Sequence, residues 1–365
     1  MKKIFVVGGG TGGHLFPAIA VAEILQKRNY NVSLITDPRC KKYLKNHESI
    51  KSFIIGPSKF TSNLIGKILV ISFTLVALIK SFLLLYRTKP ALIIGFGGYI
   101  AFPPLLVAKL LRIPIMLHEQ NCFLGKVNYL FAKTSTTLCL AFKETGNIPK
   151  NLPKNKIIVT GNPVRQEILE YNPKIKKRKA TKNTFKILIT GGSQGASFFS
   201  SIIPEAVNLV QKHDASLKLE ITQQARLEDI EKLKAAYKKH HIKGNIAEFF
   251  YNMPELLYDA DLLIGRAGAA TIAEIIAVLK PAILVPYPYA AEGHQHLNAM
   301  MIHSSGGGLY IDQFDITPEI LAATITQMIK DKGILLAMSA ALVKLQKDSL
   351  NIIADTAEKI IQKFQ

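Results

Sequence analysis

Three times in this chain a run of apolar, mostly β-branched residues ends in a cluster of glycines, and the glycines lead into an apolar stretch of helical length. The three are KIFVVGGGTGGHLFPAIAVAEIL (3–25), ALIIGFGGYIAFPPLLVAKLL (91–111) and FKILITGGSQGASFFSSIIPEAV (185–207). Such apolar runs do not alternate, so both faces of each strand must be buried. That condition is met by a parallel sheet covered on both sides by helices. The remaining apolar runs fit the same scheme. NVSLITD (31–37), IPIMLHEQN (113–121) and NKIIVTGNPVR (155–165) read as strands of a first half, and LKLEITQ, NIAEFFY, DLLIG and PAILVPYP as strands of a second.

KIFVVGGGTGG and KILITGGSQG look like the openings of two similar α/β domains, in keeping with 365 residues. The boundary is expected near 163–183. The expected organisation is a domain over 1–163, a second over 164–340, and a final helix over 341–365 packing back on the first. The basic run KIKKRKATK (174–182) reads as a solvated linker between them.

The net charge is +20, from 46 Lys and Arg against 26 Asp and Glu. Such a balance calls for anionic partners. Nucleic acid is not expected, because no nucleic-acid-binding motif is present and the cations are dispersed. The three cysteines, Cys40, Cys122 and Cys139, have neither disulfide-framework nor zinc-site spacing, which suits a reducing compartment. Lys2 and Lys3 precede an apolar run of only Ile4–Val7, too short for a signal peptide, so folding is expected to begin in the cytoplasm. Residues 68–86 are apolar apart from Ser, Thr and Lys80, but the uncharged stretch ends after 12 residues at position 79. A membrane span needs about 20 residues. This segment is therefore expected to be a domain helix or a surface patch attracted to anionic lipid, with a true span the remaining alternative.

In parallel sheets ligands sit at the carboxyl ends of the strands, where the glycine clusters lie. Glycine lets the backbone approach a ligand, and the amides of the next helix favour anions. Gly8–Gly13 satisfies GxGxxG, and Asp37 ends the second strand where a dinucleotide-binding protein keeps its ribose acid. A nicotinamide-dependent oxidoreductase is thus one reading. A second glycine loop at 95–99 and a third at 191–195 favour instead a cleft in which two domains grip phosphate-bearing ligands. His14 beside the first loop is either a general base or a residue that shapes its own loop. Ala269, Ala270 and Thr271 would present amides suited to a diphosphate. Glu274 is either a ribose ligand or an ordinary acid near a helix N-terminus. Gln295 and Asn298 would share a helix face. Asp259-Ala260-Asp261 resembles a DxD metal motif but reads as a strand lead-in. His294 and His296 lack metal-site spacing, so neither a metal nor a cofactor is expected.

Seven blocks in order, GGGTGGHLFPAIAVAE, GFGGY, HEQN, GNPVR, GGSQGA, RAGAATIAE and HQHLNA, resemble the lipid I N-acetylglucosaminyltransferases of bacterial peptidoglycan synthesis nearly end to end. The resemblance implies a GT-B fold, two Rossmann-like domains facing a deep cleft. It implies inverting transfer of GlcNAc from UDP-GlcNAc to the 4-hydroxyl of MurNAc-pentapeptide on undecaprenyl diphosphate (lipid I to lipid II), at the cytoplasmic face of the membrane. It gives His14 as candidate base. It gives as substrate-binding Thr11, Gly12, Gly13, Asn121, Arg165, Ser193, Phe250, Ala269, Ala270, Thr271, Ile272, Ala273, Glu274 and Gln295, with Glu274 on the ribose. Three departures stand out. Ala267-Gly268-Ala269 replaces a usual Ser-Gly-Ala, Phe250 replaces a smaller aliphatic, and Glu292-Gly293 stands where a charged residue precedes the HQ pair. A related transferase with a diacylglycerol acceptor, and a membrane-associated sugar-nucleotide binding module, share much of this pattern.

Overall fold

The computed structural model describes residues 1–56, 64–171, 184–191 and 197–364. The basic run 174–182 and Ser193 lie outside them. The chain forms two units, one of Met1–Arg165 with Lys347–Gln365 and the other of Gln166–Gln346.

The first unit is built on seven parallel strands: β1 (Lys3–Val7), β2 (Asn31–Thr36), β3 (Lys51–Ile54), β4 (Leu92–Gly95), β5 (Ile115–Glu119), β6 (Thr137–Leu140) and β7 (Ile157–Val159). Their spatial order is β3-β2-β1-β4-β5-β6-β7. The apolar run of β1 has two buried faces, as its lack of alternation requires. Ile4 and Val6 enter one core cluster, Phe5 and Val7 the other. The connecting helices are α1 (Gly12–Lys27), α2 (Leu64–Thr88), α3 (Phe102–Leu110) and α4 (Lys126–Ala132). α2 packs on α3 through Ala77 and Leu85. Among the described residues no helix is long and apolar enough to cross a membrane.

The second unit has six parallel strands, β8 (Thr184–Thr190), β9 (Lys218–Gln224), β10 (Gly244–Ala247), β11 (Leu262–Gly265), β12 (Ala282–Leu284) and β13 (Leu309–Tyr310), in the order β10-β9-β8-β11-β12-β13. Its helices are α5 (Gln166–Glu170), α6 (Ser197–His213), α7 (Leu227–Lys239), α8 (Met253–Asp259), α9 (Ala269–Val278), α10 (His294–Ser304), α11 (Pro318–Lys330) and α12 (Lys332–Val343).

The helix expected over 341–365 begins later, at Ser349, and follows a separate helix that ends at Val343. α12 stays with the second unit, and α13 (Ser349–Lys363) returns to the first. Leu350, Ile353, Ala354, Ala357, Ile360 and Ile361 recur at helical spacing and enter the core beside α1. Arg28 at the end of α1 fixes the register, donating to Asp355, to Glu358 at 3.2 Å and to Asn351 at 2.7 Å.

Candidate active site

In each sheet the strand order reverses once, between β1 and β4 in the first and between β8 and β11 in the second. Loops diverge at such a point and leave a crevice where ligands bind. The glycine loops after β1 and β4 flank the first reversal. The loops after β8 and β11 flank the second, though residues 192–196 of GGSQGA are not among those described.

The first loop is held tightly. An atom added at the Gly8 Cβ position would come 2.5 Å from the Ala18 Cβ, so only glycine lets α1 start so close to β1. Thr11 sits at the N-cap of α1 without a side-chain bond to the helix amides. Its hydroxyl instead pairs with His14 Nδ1 at 3.2 Å. Thr11 is exposed, Gly12 buried, and Gly13 and His14 half-buried. Arg165 belongs to the same neighbourhood, its guanidinium stacked 5.0 Å over the ring of Phe16.

Asp37 is not available to a ribose. It is fully buried, and its carboxylate accepts from the Gly10 amide at 2.5 Å and from Arg39 N at 2.9 Å and Nε at 3.2 Å. The dinucleotide reading of GxGxxG loses its acid on this geometry.

Asn121 is oriented by a buried acid. Glu119 Oε1 accepts from the Asn121 amide and side chain at 3.2 and 3.1 Å, and Oε2 accepts from Gly125 N at 3.0 Å and Asn128 at 2.8 Å. Burial pushes the Glu119 carboxyl up, against the pull of these donors. His118, wholly buried, bonds through Nε2 to the Gly161 carbonyl at 3.0 Å and through Nδ1 to the Gln120 amide at 3.1 Å. A carbonyl only accepts, so Nε2 carries the hydrogen and Nδ1 accepts from Gln120. Burial lowers the His118 pKa to about 4, leaving the ring neutral at pH 7. His118 thereby ties HEQN to the loop that carries Arg165.

In the second unit Ala269, Ala270 and Thr271 form the first turn of α9. Gly268 at the N-cap has no side chain with which to cap the turn's amides. Ile272 and Ala273 are buried, while Thr271 and Glu274 are half-buried on the same helix. Asn298 supports the turn before it, donating to the Ala267 carbonyl at 3.0 Å. Gln295 Oε1 accepts from Tyr287 N at 3.0 Å, so what it can offer a sugar is its Nε2 donor.

Arg266 is the residue that sequence reasoning missed here. It is buried, lies against Phe198, Phe199 and Tyr287, and donates to the carbonyls of Val285 and Pro286 and to Gln313. Burial lowers its pKa to about 10, so it stays charged at pH 7. It pins the loop after β12 to the turn before α9. The Phe250 side chain is also buried, between the exposed Phe249 and Tyr251, which leaves its backbone for any ligand. Asp261 is a strand lead-in, capping the Lys186 amide at 2.9 Å.

These two parallel-sheet units, with glycine loops at both reversals and a histidine at one of them, define the architecture of a nucleotide-sugar glycosyltransferase. Residues 4–139 match the N-terminal domain of glycosyltransferase family 28, and residues 186–356 its C-terminal domain. The chain is 41% identical over 361 residues to the UDP-N-acetylglucosamine–N-acetylmuramyl-(pentapeptide) pyrophosphoryl-undecaprenol N-acetylglucosamine transferase of Rickettsia bellii, covering 99% of this chain and 100% of that one. The counterpart in Rickettsia felis is 40% identical over 367 residues, with 99% and 100% covered. The crystal structure of Acinetobacter baumannii MurG superposes with a TM-score of 0.77 at 27% identity, over 98% of this chain and 100% of that one. The UDP-GlcNAc 2-epimerase of Neisseria meningitidis shares the fold alone, with a TM-score of 0.70 at 16% identity over 98% of this chain and 100% of that one. The chain belongs to the family of UDP-N-acetylglucosamine–N-acetylmuramyl-(pentapeptide) pyrophosphoryl-undecaprenol N-acetylglucosamine transferases.

Proposed function

We infer that this chain transfers GlcNAc from UDP-GlcNAc to the 4-hydroxyl of lipid I, yielding lipid II, with His14 as the base that activates the hydroxyl. The observation that carries the site assignment is the position of His14, on the first turn of α1 beside the glycine loop at the β1/β4 reversal. A sugar hydroxyl is too weakly acidic to attack unaided at neutral pH. For Nε2 to take the proton, Nδ1 carries the ring hydrogen and donates it to the Thr11 hydroxyl 3.2 Å away. The hydroxyl oxygen attacks the anomeric carbon in line and displaces UDP, so the configuration inverts. The amides of Thr11, Gly12 and Gly13 favour the acceptor's anionic diphosphate.

Charge builds on the departing UDP. The first-turn amides of Ala269, Ala270 and Thr271, with Ile272 and Ala273 continuing the segment, stabilise it without reorganising. Glu274 accepts from the ribose hydroxyls, Gln295 donates to the sugar, and the Phe250 backbone faces the base. Asn121, Arg165 and Ser193 complete the donor contacts. The protein works as a peripheral enzyme on the cytoplasmic face of an anionic membrane. What supports this is α2, which exposes Leu75, Val76, Ile79, Phe82, Leu83 and Tyr86.

Turnover of a lipid I analogue with UDP-GlcNAc tests this reading. His14→Ala is expected to lower turnover by about 10²–10⁴-fold, to leave donor affinity unchanged and to abolish the acidic limb of the pH–rate profile. Glu274→Gln is expected to weaken UDP-GlcNAc binding by about 1.5–3 kcal/mol, the worth of a charge-assisted hydrogen bond. Near-normal turnover in the first variant ends the base assignment, and unchanged affinity in the second ends the ribose assignment.

A further inference from the structure

The acid that GxGxxG proteins turn toward a ribose is here turned inward, and what it holds lies beside His14. The buried Asp37 carboxylate accepts the amide of Gly10, in the first glycine loop, and both the backbone N and Nε of Arg39. Arg39 then reaches across to the second glycine loop. Its Nη2 donates to the Tyr99 hydroxyl at 2.8 Å, and its guanidinium lies 5.2 Å over the Tyr99 ring. Tyr99 directly follows Gly98, whose φ is +70°. The Gly98 backbone faces the first loop. A Cβ there would lie 3.6 Å from the Gly9 carbonyl oxygen and 3.6 Å from His14 Nδ1. The contacts therefore run from Gly10 through Asp37 and Arg39 to Tyr99, and Gly98, next to Tyr99 in the chain, faces His14.

We propose that Asp37, Arg39 and Tyr99 form a brace that fixes the spacing of the two glycine loops and so positions His14 for proton abstraction. The inference rests on the reading of His14 as the base. None of the three is a catalytic residue, because each acts through the loops. A buried carboxylate is costly unless it is paired and hydrogen-bonded, and here the partners are a loop amide and an arginine that also bonds Tyr99 of the other loop. Arg39 is suited to this because its planar fork bonds two groups at once and its face stacks on an aromatic ring. A lysine offers only a point charge. The brace matters because displacement by about 1 Å from reacting geometry costs on the order of 10²-fold in rate.

The test measures turnover of a lipid I analogue by the full chain carrying Tyr99→Phe, Arg39→Met, Arg39→Lys and the Arg39→Met/Tyr99→Phe pair. Tyr99→Phe keeps the ring and the Asp37–Arg39 pair and removes only the hydroxyl. It is expected to lower kcat by about 3–10-fold, and Arg39→Met by about 10–100-fold, with Arg39→Lys in between and the KM for UDP-GlcNAc within about twofold throughout. Residues acting through one brace are not additive, so the pair should fall no more than about twofold below Arg39→Met alone. The acidic limb of the pH–rate profile should persist in every variant, because His14 is still the base. If Arg39→Met leaves too little folded protein, Tyr99→Phe decides. Unchanged turnover in Tyr99→Phe and Arg39→Met, beside collapse in His14→Ala, overturns the brace and leaves the base reading standing. Unchanged turnover in His14→Ala removes both. Additive losses, or a donor KM that rises in step with the fall in kcat, would also refute the brace.

Discussion

Glu119 and His118 are adjacent in sequence, both buried at the end of β5, and their protonation acts on stability in opposite senses. The His118 pKa is lowered by burial to about 4, below the roughly 6.5 of an unfolded chain. Between these values the unfolded state binds more protons, so the contribution of His118 is fully present above about pH 6.5 and is lost as pH falls toward 4. Its size, from a shift of about 2.5 units, is on the order of 3 kcal/mol. Glu119 is pushed the other way, its pKa raised by burial, so its neutral form favours the fold and its contribution falls as pH rises. The two contributions separate in a comparison of stabilities. Denaturant unfolding at pH 7 and pH 4.5 should show a larger loss of stability on acidification for the wild type than for His118→Asn, which keeps Glu119. Equal losses would mean that His118 is not held neutral. The motif HEQN flagged Asn121 as a ligand group, and its own Glu119 orients that side chain, but nothing in those four letters shows what holds His118 and Glu119 in turn. The partners of His118 and Glu119, Gly161 and Gly125, are 43 and 6 residues away, and only the tertiary structure brings them in. Arg39 and Tyr99, 60 residues apart, were hidden in the same way.

At the scale of an element, α2 shows what an apolar run leaves undecided. The sequence made a helix of residues 68–86 plausible, and the helix runs from Leu64 to Thr88. Which face is covered was not legible, because apolar residues occupy both. Ala77, Ser81 and Leu85, four apart, turn inward and are buried, while Ile79 stays 61% exposed and Tyr86 58%. Lys80, Arg87 and Lys89 flank that outer face in the sequence. If the face docks on lipid, the protein should bind vesicles of anionic phospholipid and leave them at high salt, as the Debye length shrinks from about 10 Å at 0.1 M to about 3 Å at 1 M. Ile79→Glu with Leu83→Glu should weaken vesicle binding at least about tenfold, since fully burying one such side chain is worth about 1.5–3 kcal/mol. Turnover of a short-chain, water-soluble acceptor should be unaffected. Vesicle binding that survives both changes would move the membrane contact elsewhere.

Across the whole molecule, the repeated strand–glycine–helix pattern made both sheets legible, because runs buried on two faces admit few other arrangements. The path of the chain at its end was less so. The final helix was expected from residue 341, yet α12 ends at Val343 and α13 begins only at Ser349, and the two helices serve different cores. Hydropathy cannot reveal this, since α12 and α13 both present apolar residues. What distinguishes them is the partner, and Arg28, far away in sequence, anchors only the second. α13 is thus a late segment that completes an early core. Ile353 is fully buried in the cluster with α1, β1 and β4. Truncating such a residue removes its burial and leaves a cavity, a cost of about 2–5 kcal/mol. If the two units have separate cores, Ile353→Ala should destabilise the first unit alone. Native-state hydrogen exchange in the full chain reads this directly. Amides of α1, β1 and β4 should lose protection by about the free energy of the substitution, while those of β8, β11 and β12 keep theirs. The affinity for UDP-GlcNAc gives a second readout and should hold wherever the first unit remains folded. Loss of protection spreading equally through β8, β11 and β12 would show instead that the two cores unfold as one cooperative body, and that α13 stabilises the entire chain.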